Sequence, residues 1–259
     1  MQVTNDDRCP HCDGRGWVRA EGGETAALAL CECRRPCPDC EDTGFVNRVG
    51  SDGRPVAAVC GCASLKRRII AYNKAGIPSR FVGCTFASFK PRDSSQGQAK
   101  VLLQDWVRRF RPGVPGWLLH GPPGVGKTHL ACATAAALAL DYGVDVRFVD
   151  FFHLLQQLKA AFGDYGSDKN LIQPLLSCDF LVIDELGKGR NTEWENGVVD
   201  ELISARYNAG HTIFFTSNHA PEGGVDSLQD RLGDRILSRI WELCTVHRLA
   251  GEDFRKQKR

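Results

Sequence analysis

The sequence predicts an α/β protein, a parallel sheet with helices on both faces, preceded by a small cysteine-rich zinc domain. Two observations predict the sheet: residues 117–140 read as a strand, a glycine-rich turn and a helix, and residues 180–185 are an apolar run ending in two carboxylates. Strands that alternate with helices in this way form parallel sheets. The third observation is a duplicated cysteine pattern near the N-terminus, which predicts the zinc domain.

The composition is that of a globular chain with a sizeable core. Of 259 residues, 42% are hydrophobic and 25% are charged. No apolar run approaches the length of a membrane span, and residues 1–7 lack the basic and apolar regions of a signal peptide, so we expect a cytoplasmic protein with no membrane contact. The formal net charge of +2 gives no argument for or against nucleic acid.

One cysteine pattern occurs twice in the first 62 residues. In each copy a C-x-x-C pair is followed, after 18 or 19 residues, by a C-x-C pair. In a cytosolic chain such clusters indicate metal, and four thiolates form a closed tetrahedral Zn²⁺ site. We therefore predict two zinc ions per chain. Their predicted ligands are Cys9, Cys12, Cys31, Cys33, Cys37, Cys40, Cys60 and Cys62.

The arrangement and the role of this module stay open at the level of sequence. Nearly equal spacing favours one ion per repeat, but outer and inner pairs could interleave. A redox role of the C-x-x-C pairs is disfavoured, because the βαβ context that it needs is missing. The module could bind DNA, bind a protein or hold a shape. Beside the cysteines lie five basic residues that could meet phosphate or offset the thiolate charge: Arg34, Arg35, Lys66, Arg67 and Arg68.

A connector follows the cysteine repeats. Residues 64–76 read as a short basic helix stopped by Gly76 and Pro78, residues 91–97 as a polar loop, and residues 98–110 as a helix. We therefore divide the chain into a zinc-binding module at 1–63, a basic helix and linker at 64–97, and an ATPase domain at 98–259.

The glycine-rich turn fits the phosphate-binding pattern G-x-x-x-x-G-K-[ST] without a mismatch. Its residues are Gly121, Pro122, Pro123, Gly124, Val125, Gly126, Lys127 and Thr128. Backbone N–H groups and the positive helix end converge there on a site for a polyphosphate. We predict that Lys127 reaches the β- and γ-phosphates and that the Thr128 hydroxyl binds Mg²⁺. The strand–loop–helix context disfavours a ligand-free turn.

Polar residues at two later strand ends complete the predicted site. Asp184 would hold Mg²⁺ through water and Glu185 would polarise the attacking water, while Asn218, at the tip of a strand over 212–218, would contact that water or the γ-phosphate. The remaining predicted elements are a strand at 146–149, helices at 151–162, 195–208 and 228–240, and a last strand at 243–246.

From about Gly76 to Arg255 the chain resembles the DnaC/IstB-like family of AAA+ ATPases. The motifs that carry the resemblance are Gly76-Ile77-Pro78, Thr85-Phe86, residues 121–131 from Gly121 through His129 to Ala131, Ile183-Asp184-Glu185-Leu186-Gly187, Thr216-Ser217-Asn218, Leu237-Ser238-Arg239-Ile240 and Gly251-Glu252-Asp253-Phe254-Arg255. The resemblance implies the AAA+ core with strand order 5-1-4-3-2. It also implies ATP and Mg²⁺ as cofactors, with His129 beside the phosphate loop, and ATP hydrolysis.

The same resemblance implies a homo-oligomer with ATP at its subunit interfaces. Arg239 then resembles the finger that enters a neighbour's site, Arg235 is the substitute candidate, and a helix-surface ion pair is the alternative role for Arg239. About a dozen residues follow the last predicted strand, so no helical lid is expected, and Arg255 is a candidate sensor arginine.

Three functions are compatible with these motifs. The first is a helicase loader that binds a replicative DnaB-type helicase through its zinc module and delivers it to single-stranded DNA. The second is an IstB-like transposition helper that binds duplex DNA, and the third is a zinc-dependent scaffold with a weak ATPase. A dedicated N-terminal module favours the loader, and the presence of Lys127, Asp184 and Glu185 weighs against the scaffold.

Overall fold

The computed structural model describes residues 9–20, 22–51, 53–60, 62–161, 167–223 and 225–258. The predicted helix end at Phe162 and the N-terminal residues 1–7 lie outside that part of the chain. Each cysteine repeat folds as an antiparallel hairpin whose first strand begins at an aromatic residue: β1 (Trp17–Arg19) with β2 (Leu28–Leu30), and β3 (Phe45–Val49) with β4 (Pro55–Val59).

The connector contains two helices. Helix α1 (Ala63–Lys74) confirms the predicted basic helix, and Gly76 follows it with a φ of 75°, a conformation that suits glycine. Helix α2 (Ser94–Arg108) begins four residues earlier than predicted. The loop prediction was wrong there because the Asp93 carboxylate accepts a hydrogen bond from the Ser95 N–H at 2.8 Å and caps the helix.

Five parallel strands form the central sheet. They are β5 (Gly116–His120), β6 (Val146–Asp150), β7 (Phe180–Asp184), β8 (Thr212–Ser217) and β9 (Cys244–Arg248). Their order is β6-β7-β8-β5-β9. Numbered from β5, this is the predicted order 5-1-4-3-2, and all four pairings are parallel.

Helices cover both faces of this sheet, as predicted. They are α3 (Lys127–Ala137), α4 (Phe151–Ala161), α5 (Ser167–Ser177), α6 (Glu193–Ala209), α7 (Leu228–Leu232) and α8 (Asp234–Leu243). Leu103 of α2 and Leu130 of α3 belong to one apolar core, and Leu154 of α4, Ile203 of α6 and Ile240 of α8 to the other. None of the described helices is long and apolar enough to span a bilayer.

The helix predicted at 228–240 is two helices. Gly233 separates them with φ 81° and ψ 163°, values outside the helical region. Ser227 and Asp230 form a reciprocal capping box at the N-terminus of α7. The single-helix prediction was therefore wrong, because apolar periodicity does not register a turn at one glycine.

The first cysteine repeat packs against α1 and the apolar core that α1 shares with the central sheet. The Asn73 side chain of α1 brackets the backbone of Leu28, receiving its N–H at 2.8 Å and donating to its carbonyl at 2.9 Å. Backbone hydrogen bonds join Ala26 to Ile77 and Ser79 to Glu24. Leu28 is buried in the same core as Leu130 of α3. This repeat is thus packed and hydrogen-bonded against the connector.

One fully buried arginine joins α6 to the end of α5 and to β8. The Arg206 guanidinium of α6 donates to the carbonyls of Leu175 at 2.6 Å, Cys178 at 3.0 Å and Thr212 at 2.7 Å. Two of these carbonyls lie at the C-terminal end of α5, where the helix dipole favours a cation. Burial lowers the pKa of Arg206 from its ordinary value. The three carbonyls nevertheless accept hydrogen bonds from the guanidinium in place of water.

Replacing Arg206 with Met is expected to lower the free energy of unfolding by about 3–5 kcal/mol, because it leaves several buried carbonyls without a donor. Urea denaturation followed by circular dichroism measures this change. Arg109→Met is the matched control, since Arg109 is exposed and makes only a surface pair with Asp105; it should change the value by less than about 1 kcal/mol. Equal urea midpoints for the two variants would contradict this stabilising role of Arg206.

Candidate functional site

The phosphate loop lies between β5 and α3, and its glycines are required by close packing. A Cβ on Gly121, which has a φ of 145°, would lie 2.0 Å from the Leu249 carbonyl oxygen after β9. A Cβ on Gly126 would lie 2.6 Å from the Phe89 ring. Real Cβ atoms do not approach so closely, so both positions admit only glycine. The loop backbone is thereby held open toward solvent at the N-terminus of α3.

Lys127 is buried at the base of this loop. Its Nζ donates to the carbonyls of Gly121 at 2.7 Å and Pro122 at 2.8 Å, and to Oδ1 of Asn218 at 2.8 Å. Burial lowers the pKa of Lys127 to about 8, although the charges of Asp184 and Glu185 act in the opposite direction. Lys127 and Asn218 are thus brought together as predicted, and the ammonium is oriented before any phosphate arrives.

The affinity for ATP is therefore expected to fall as pH rises through about 8. In the free protein Lys127 loses its proton around that pH, whereas bound phosphates require the charged form, so binding above it takes up a proton. Titration calorimetry at pH 7 and pH 9, in buffers of different ionisation enthalpy, measures both the affinity and the proton uptake. Equal affinities without proton uptake would show that Lys127 keeps its charge throughout this range.

Asp184 and Thr128 form the candidate magnesium position. The Thr128 hydroxyl donates to the Asp184 carboxylate at 3.0 Å, and the Thr216 hydroxyl of β8 donates to it at 2.6 Å. Burial raises the pKa of Asp184 to about 6, and these hydroxyls oppose that shift. Hard oxygen donors of this kind fit Mg²⁺, which keeps most of its waters beside one or two protein oxygens.

Glu185 directly follows β7 and lines a cavity above the phosphate loop. Its φ of 59° is unusual for a non-glycine residue, and its N–H donates to the Thr216 hydroxyl at 2.9 Å. Lys188 contacts its carboxylate, and this contact raises the pKa of Lys188. Glu185 thus lines the cavity with its carboxylate in contact with Lys188, and its action on an attacking water stays a prediction.

A cavity of about 420 Å³ opens above the loop. Its lining residues are Arg80, Phe81, Pro123, Gly124, Gly126, Lys127, Thr128, His129, Glu185, Asn218 and Arg255. Of the remaining predicted binding residues, Gly121 and Pro122 offer carbonyls to Lys127, Asp184 lies behind Thr128, and Val125 is buried in the core. A volume of this order and a cradle of loop N–H groups suit a nucleotide.

His129 links this loop to the connector. Its Nε2 lies 3.1 Å from the Thr85 carbonyl and 3.2 Å from the Ser88 hydroxyl, and its ring packs edge-on against Phe89 at 5.2 Å. Burial lowers the pKa of His129. The imidazole therefore fixes the residues 85–89 against the start of α3 while it lines the cavity.

Three residues near the cavity were missed by sequence reasoning. Arg80 lies over the Phe81 ring at 4.5 Å, and both line the cavity directly after the Gly76-Ile77-Pro78 motif, which is the signal that could have pointed to them. The third, Asp253, packs so closely on the loop that a Cβ on Gly124 would lie 1.7 Å from its carboxylate. The Phe254 N–H also donates to the Gly124 carbonyl at 3.2 Å.

Arg239 is not among the residues that line the cavity. On α8 its guanidinium pairs with the Asp200 carboxylate of α6 at 2.6 Å, and the more exposed Arg235 lies 3.6 Å from the same carboxylate. Within one subunit the helix-surface ion pair is therefore its observed contact. An arginine that acts in trans would have to lie outside the cavity of its own subunit, so the finger role stays a prediction.

The eight N-terminal thiols form two groups of four, one in each repeat. The sulfurs of a group lie within 4.8 Å of one another, and His11 is not a member. The Cys9–Cys31 and Cys37–Cys60 sulfur distances are both 3.8 Å, which is about the edge of a tetrahedron around a Zn–S bond of about 2.3 Å. The donor set therefore fits Zn²⁺, and its pairing is within repeats rather than interleaved.

In each group hydrogen bonds lower the pKa of one thiol. The His11 backbone N–H is the main cause that lowers the pKa of Cys9 to about 7, and the Cys62 side chain does the same for Cys40. Metal affinity depends on deprotonated sulfur. Between the repeats, Arg34 is buried in a two-bond pair with the Asp42 carboxylate at 2.7 and 3.1 Å, so it does not meet phosphate.

The remaining cysteines lie apart from these groups. From their apolar sequence surroundings all four are expected to be small buried residues; Cys132, Cys178 and Cys244 are buried, whereas Cys84 is only partly buried, so the expectation was wrong for Cys84. It lies in the connector between Arg19 of the first repeat and the segment before α2, where packing is less dense. Burial nevertheless raises the pKa of Cys84 to about 11.

Metal analysis of the purified chain is expected to find two zinc ions. Each cysteine group is the centre of its own small cluster with one partly buried valine, Val18 or Val46, so a bound zinc ion would supply the stability that so small a core does not. Cys40→Ser should reduce the content to one ion, and Cys84→Ser should leave two. Mass spectrometry of the native protein measures the content; one ion or none in the unaltered chain would refute the paired sites.

The sheet order and the site on it define the class of the protein. A phosphate loop after β5, carboxylates at the end of β7, and a polar tip on β8, which lies between these two strands, make this chain an ATPase of the AAA+ class. Within that class it belongs to the family described as IstB-like ATP binding protein, whose model matches residues 104–259.

Individual relatives agree with this family. The replicative helicase loader DnaC of Escherichia coli is 25% identical over 170 residues, which are 65% of this chain and 67% of that protein. A crystal structure of the DnaC helicase loader is 30% identical with a TM-score of 0.59, covering 66% of this chain and 99% of that one. A crystal structure of DnaI, 23% identical with a TM-score of 0.57, covers 68% and 93% and shows the shared fold.

Proposed function

We propose that this protein is an ATP-dependent loader of a replicative DnaB-type helicase. The observation that carries the proposal is the assembled site of Lys127, Asp184 and Asn218 in a chain that is similar to the DnaC helicase loader over nearly all of that solved chain. A vestigial ATPase would not need the buried lysine and carboxylate, whose burial is costly. The protein would act in the cytoplasm.

In this proposal each site residue has one role. Lys127 and the loop N–H groups hold the β- and γ-phosphates, and Thr128 with Asp184 holds Mg²⁺, which neutralises charge on the phosphates. Glu185 orients and polarises the attacking water, and Asn218 reports the γ-phosphate to β8. Arg239 of a neighbouring subunit completes the site, so hydrolysis occurs at subunit interfaces of a homo-oligomer.

The zinc module would be the helicase-binding part, and the AAA+ core would bind single-stranded DNA. The first repeat is packed on the connector, so a partner held by the module has a defined position relative to the ATP site. The membership in a family named for IstB favours one alternative, a transposition helper that binds duplex DNA. These two functions differ in the partner protein and in the form of DNA.

Pulldown with the DnaB-type helicase of the same organism tests the loader function. The unaltered chain should retain the helicase, the double variant Cys9→Ser with Cys12→Ser should lose it, and Cys84→Ser should retain it. Fluorescence anisotropy with ATP should show a preference for single-stranded over duplex DNA. Failure of the unaltered chain to bind helicase would remove the loader proposal, and a preference for duplex DNA would favour the transposition helper.

A further inference from the structure

The two zinc repeats present the same hairpin face to different surroundings. Counting from the cysteines, Trp17 corresponds to Phe45, since each lies five residues after a C-x-x-C pair. Counting back from the C-x-C pairs, Leu28 corresponds to Ala57 and Leu30 to Val59. Because side chains alternate along a strand, each set lies on one face of its hairpin.

In the first repeat this face is covered by a helix. Leu28 is buried among Leu65, Ile69 and Tyr72 of α1, and Trp17 packs on the same core. At the strand edge the Asn73 amide of α1 satisfies both backbone groups of Leu28. The contact between the first hairpin and α1 therefore indicates what this type of hairpin face can bind. It binds an amphipathic helix with apolar residues on one side and a side-chain amide that forms hydrogen bonds with the backbone of the edge strand.

In the second repeat the corresponding face is exposed. Phe45 is 50% exposed, Val59 55% and Val49 78%. Hydrogen bonds from Cys60 to Gly44 and from Gly50 to Arg54 fix the paired positions of the ladder, so the backbone of Ala57 points outward. Among the described residues no partner satisfies that edge. An exposed apolar face beside an open strand edge is a recognised binding surface.

We propose that this outer face of the second repeat, formed by Phe45, Val49, Ala57 and Val59, binds an amphipathic helix of the replicative helicase in the way that the first repeat binds α1. The duplication would then divide two tasks, since one copy attaches the module to its own ATPase and the other copy holds the partner. This inference rests on the proposed function, because it assigns the helix to the helicase.

The charges around this face indicate which charges the partner helix should carry. The Arg67 guanidinium of α1 lies over the Phe45 ring at 5.4 Å, and residues 43–51 and 53–60 contain no carboxylate. Asp52 lies outside the described residues. A helix with an apolar ridge, a side-chain amide toward Ala57 and acidic residues at its margins would be complementary.

The decisive comparison uses equivalent positions in the two repeats. Val59→Glu places a charge beside Phe45 on the proposed contact surface and is expected to weaken helicase binding at least about tenfold. Leu30→Glu makes the same change at the corresponding position of the first repeat and should leave the affinity unchanged, because Leu30 is 36% exposed and does not belong to the core that Leu28 shares with α1. Biolayer interferometry with full-length proteins measures both, and two zinc ions per chain together with unchanged basal ATPase confirm that each variant is folded.

A second variant tests the strand edge separately. Ala57→Pro removes an outward N–H without removing a ladder hydrogen bond, since proline is tolerated at that side of an edge strand. It should also weaken binding. If the unaltered chain does not bind helicase, the proposed function fails. If it binds and Val59→Glu binds equally well, or if Val59→Glu changes only the self-association seen by light scattering, this inference is overturned while the loader function stands.

Discussion

Replacement of Lys127 with alanine should abolish measurable ATP hydrolysis and weaken ATP binding at least about tenfold. Charge-assisted hydrogen bonds are worth about 1.5–3 kcal/mol each, and a preorganised donor aimed at developing charge is worth a further factor of about 10²–10³ in rate. Lys127 is such a donor, because three oxygens already orient its Nζ in the free protein. Binding of a fluorescent ATP analogue and phosphate release measure the two effects.

The control for this change is another lysine that makes an ion pair away from the cavity. Lys159 of α4 lies 3.6 Å from the Glu195 carboxylate and is half exposed, so Lys159→Ala should hydrolyse ATP like the unaltered chain. Retention of hydrolysis by Lys127→Ala, with two zinc ions bound and helicase present, would remove the assignment of the loop as the catalytic phosphate site.

Replacement of Arg239 with alanine should leave ATP binding intact and remove the acceleration that assembly gives. An arginine supplied by a neighbouring subunit contributes about 10³–10⁵ in rate. In a single subunit Arg239 instead pairs with Asp200, so assembly would have to exchange that carboxylate for phosphate oxygens. The ATPase rate measured as a function of protein concentration should therefore rise steeply for the unaltered chain and stay low for the variant.

Mixing two inactive variants distinguishes a trans arginine from a local structural one. A subunit with Arg239→Ala still has its own Lys127, and a subunit with Lys127→Ala still offers Arg239 to its neighbour. Mixed oligomers should regain part of the activity that neither variant shows alone. Absence of any recovery would place Arg239 in a structural role, and Arg235→Ala tested in the same way would then examine the substitute candidate.

Much of the site could be predicted because its chemistry is local or lies at adjacent strand ends. The phosphate loop is one contiguous motif, and parallel strands bring the ends of β7 and β8 beside it, so Asp184 and Asn218 follow from topology. Arg80 lines the cavity and Asp253 packs on Gly124 of the loop, and both come from distant parts of the chain. No periodicity or spacing encodes such long-range packing, so the sequence alone did not reveal them.

The errors in secondary structure also have local causes. The Asp93 cap extends α2 into a stretch that reads as polar loop, and Gly233 divides a continuous apolar pattern into α7 and α8. Helix α5 was not predicted, since Pro174 lies inside it. The buried position of Arg206 could not be predicted from the sequence either. Its carbonyl partners are joined only after α5, α6 and β8 have packed together.

The seating of the first repeat changes what the connector can do. The segment after α1 was predicted as a linker, yet Phe148 of β6 donates to the Ala75 carbonyl at 2.6 Å, and Ala26 and Ser79 add further backbone bonds nearby. A displacement of the first hairpin would therefore be transmitted through α1 and these backbone bonds to β6, an edge strand of the sheet, instead of being absorbed by a flexible linker.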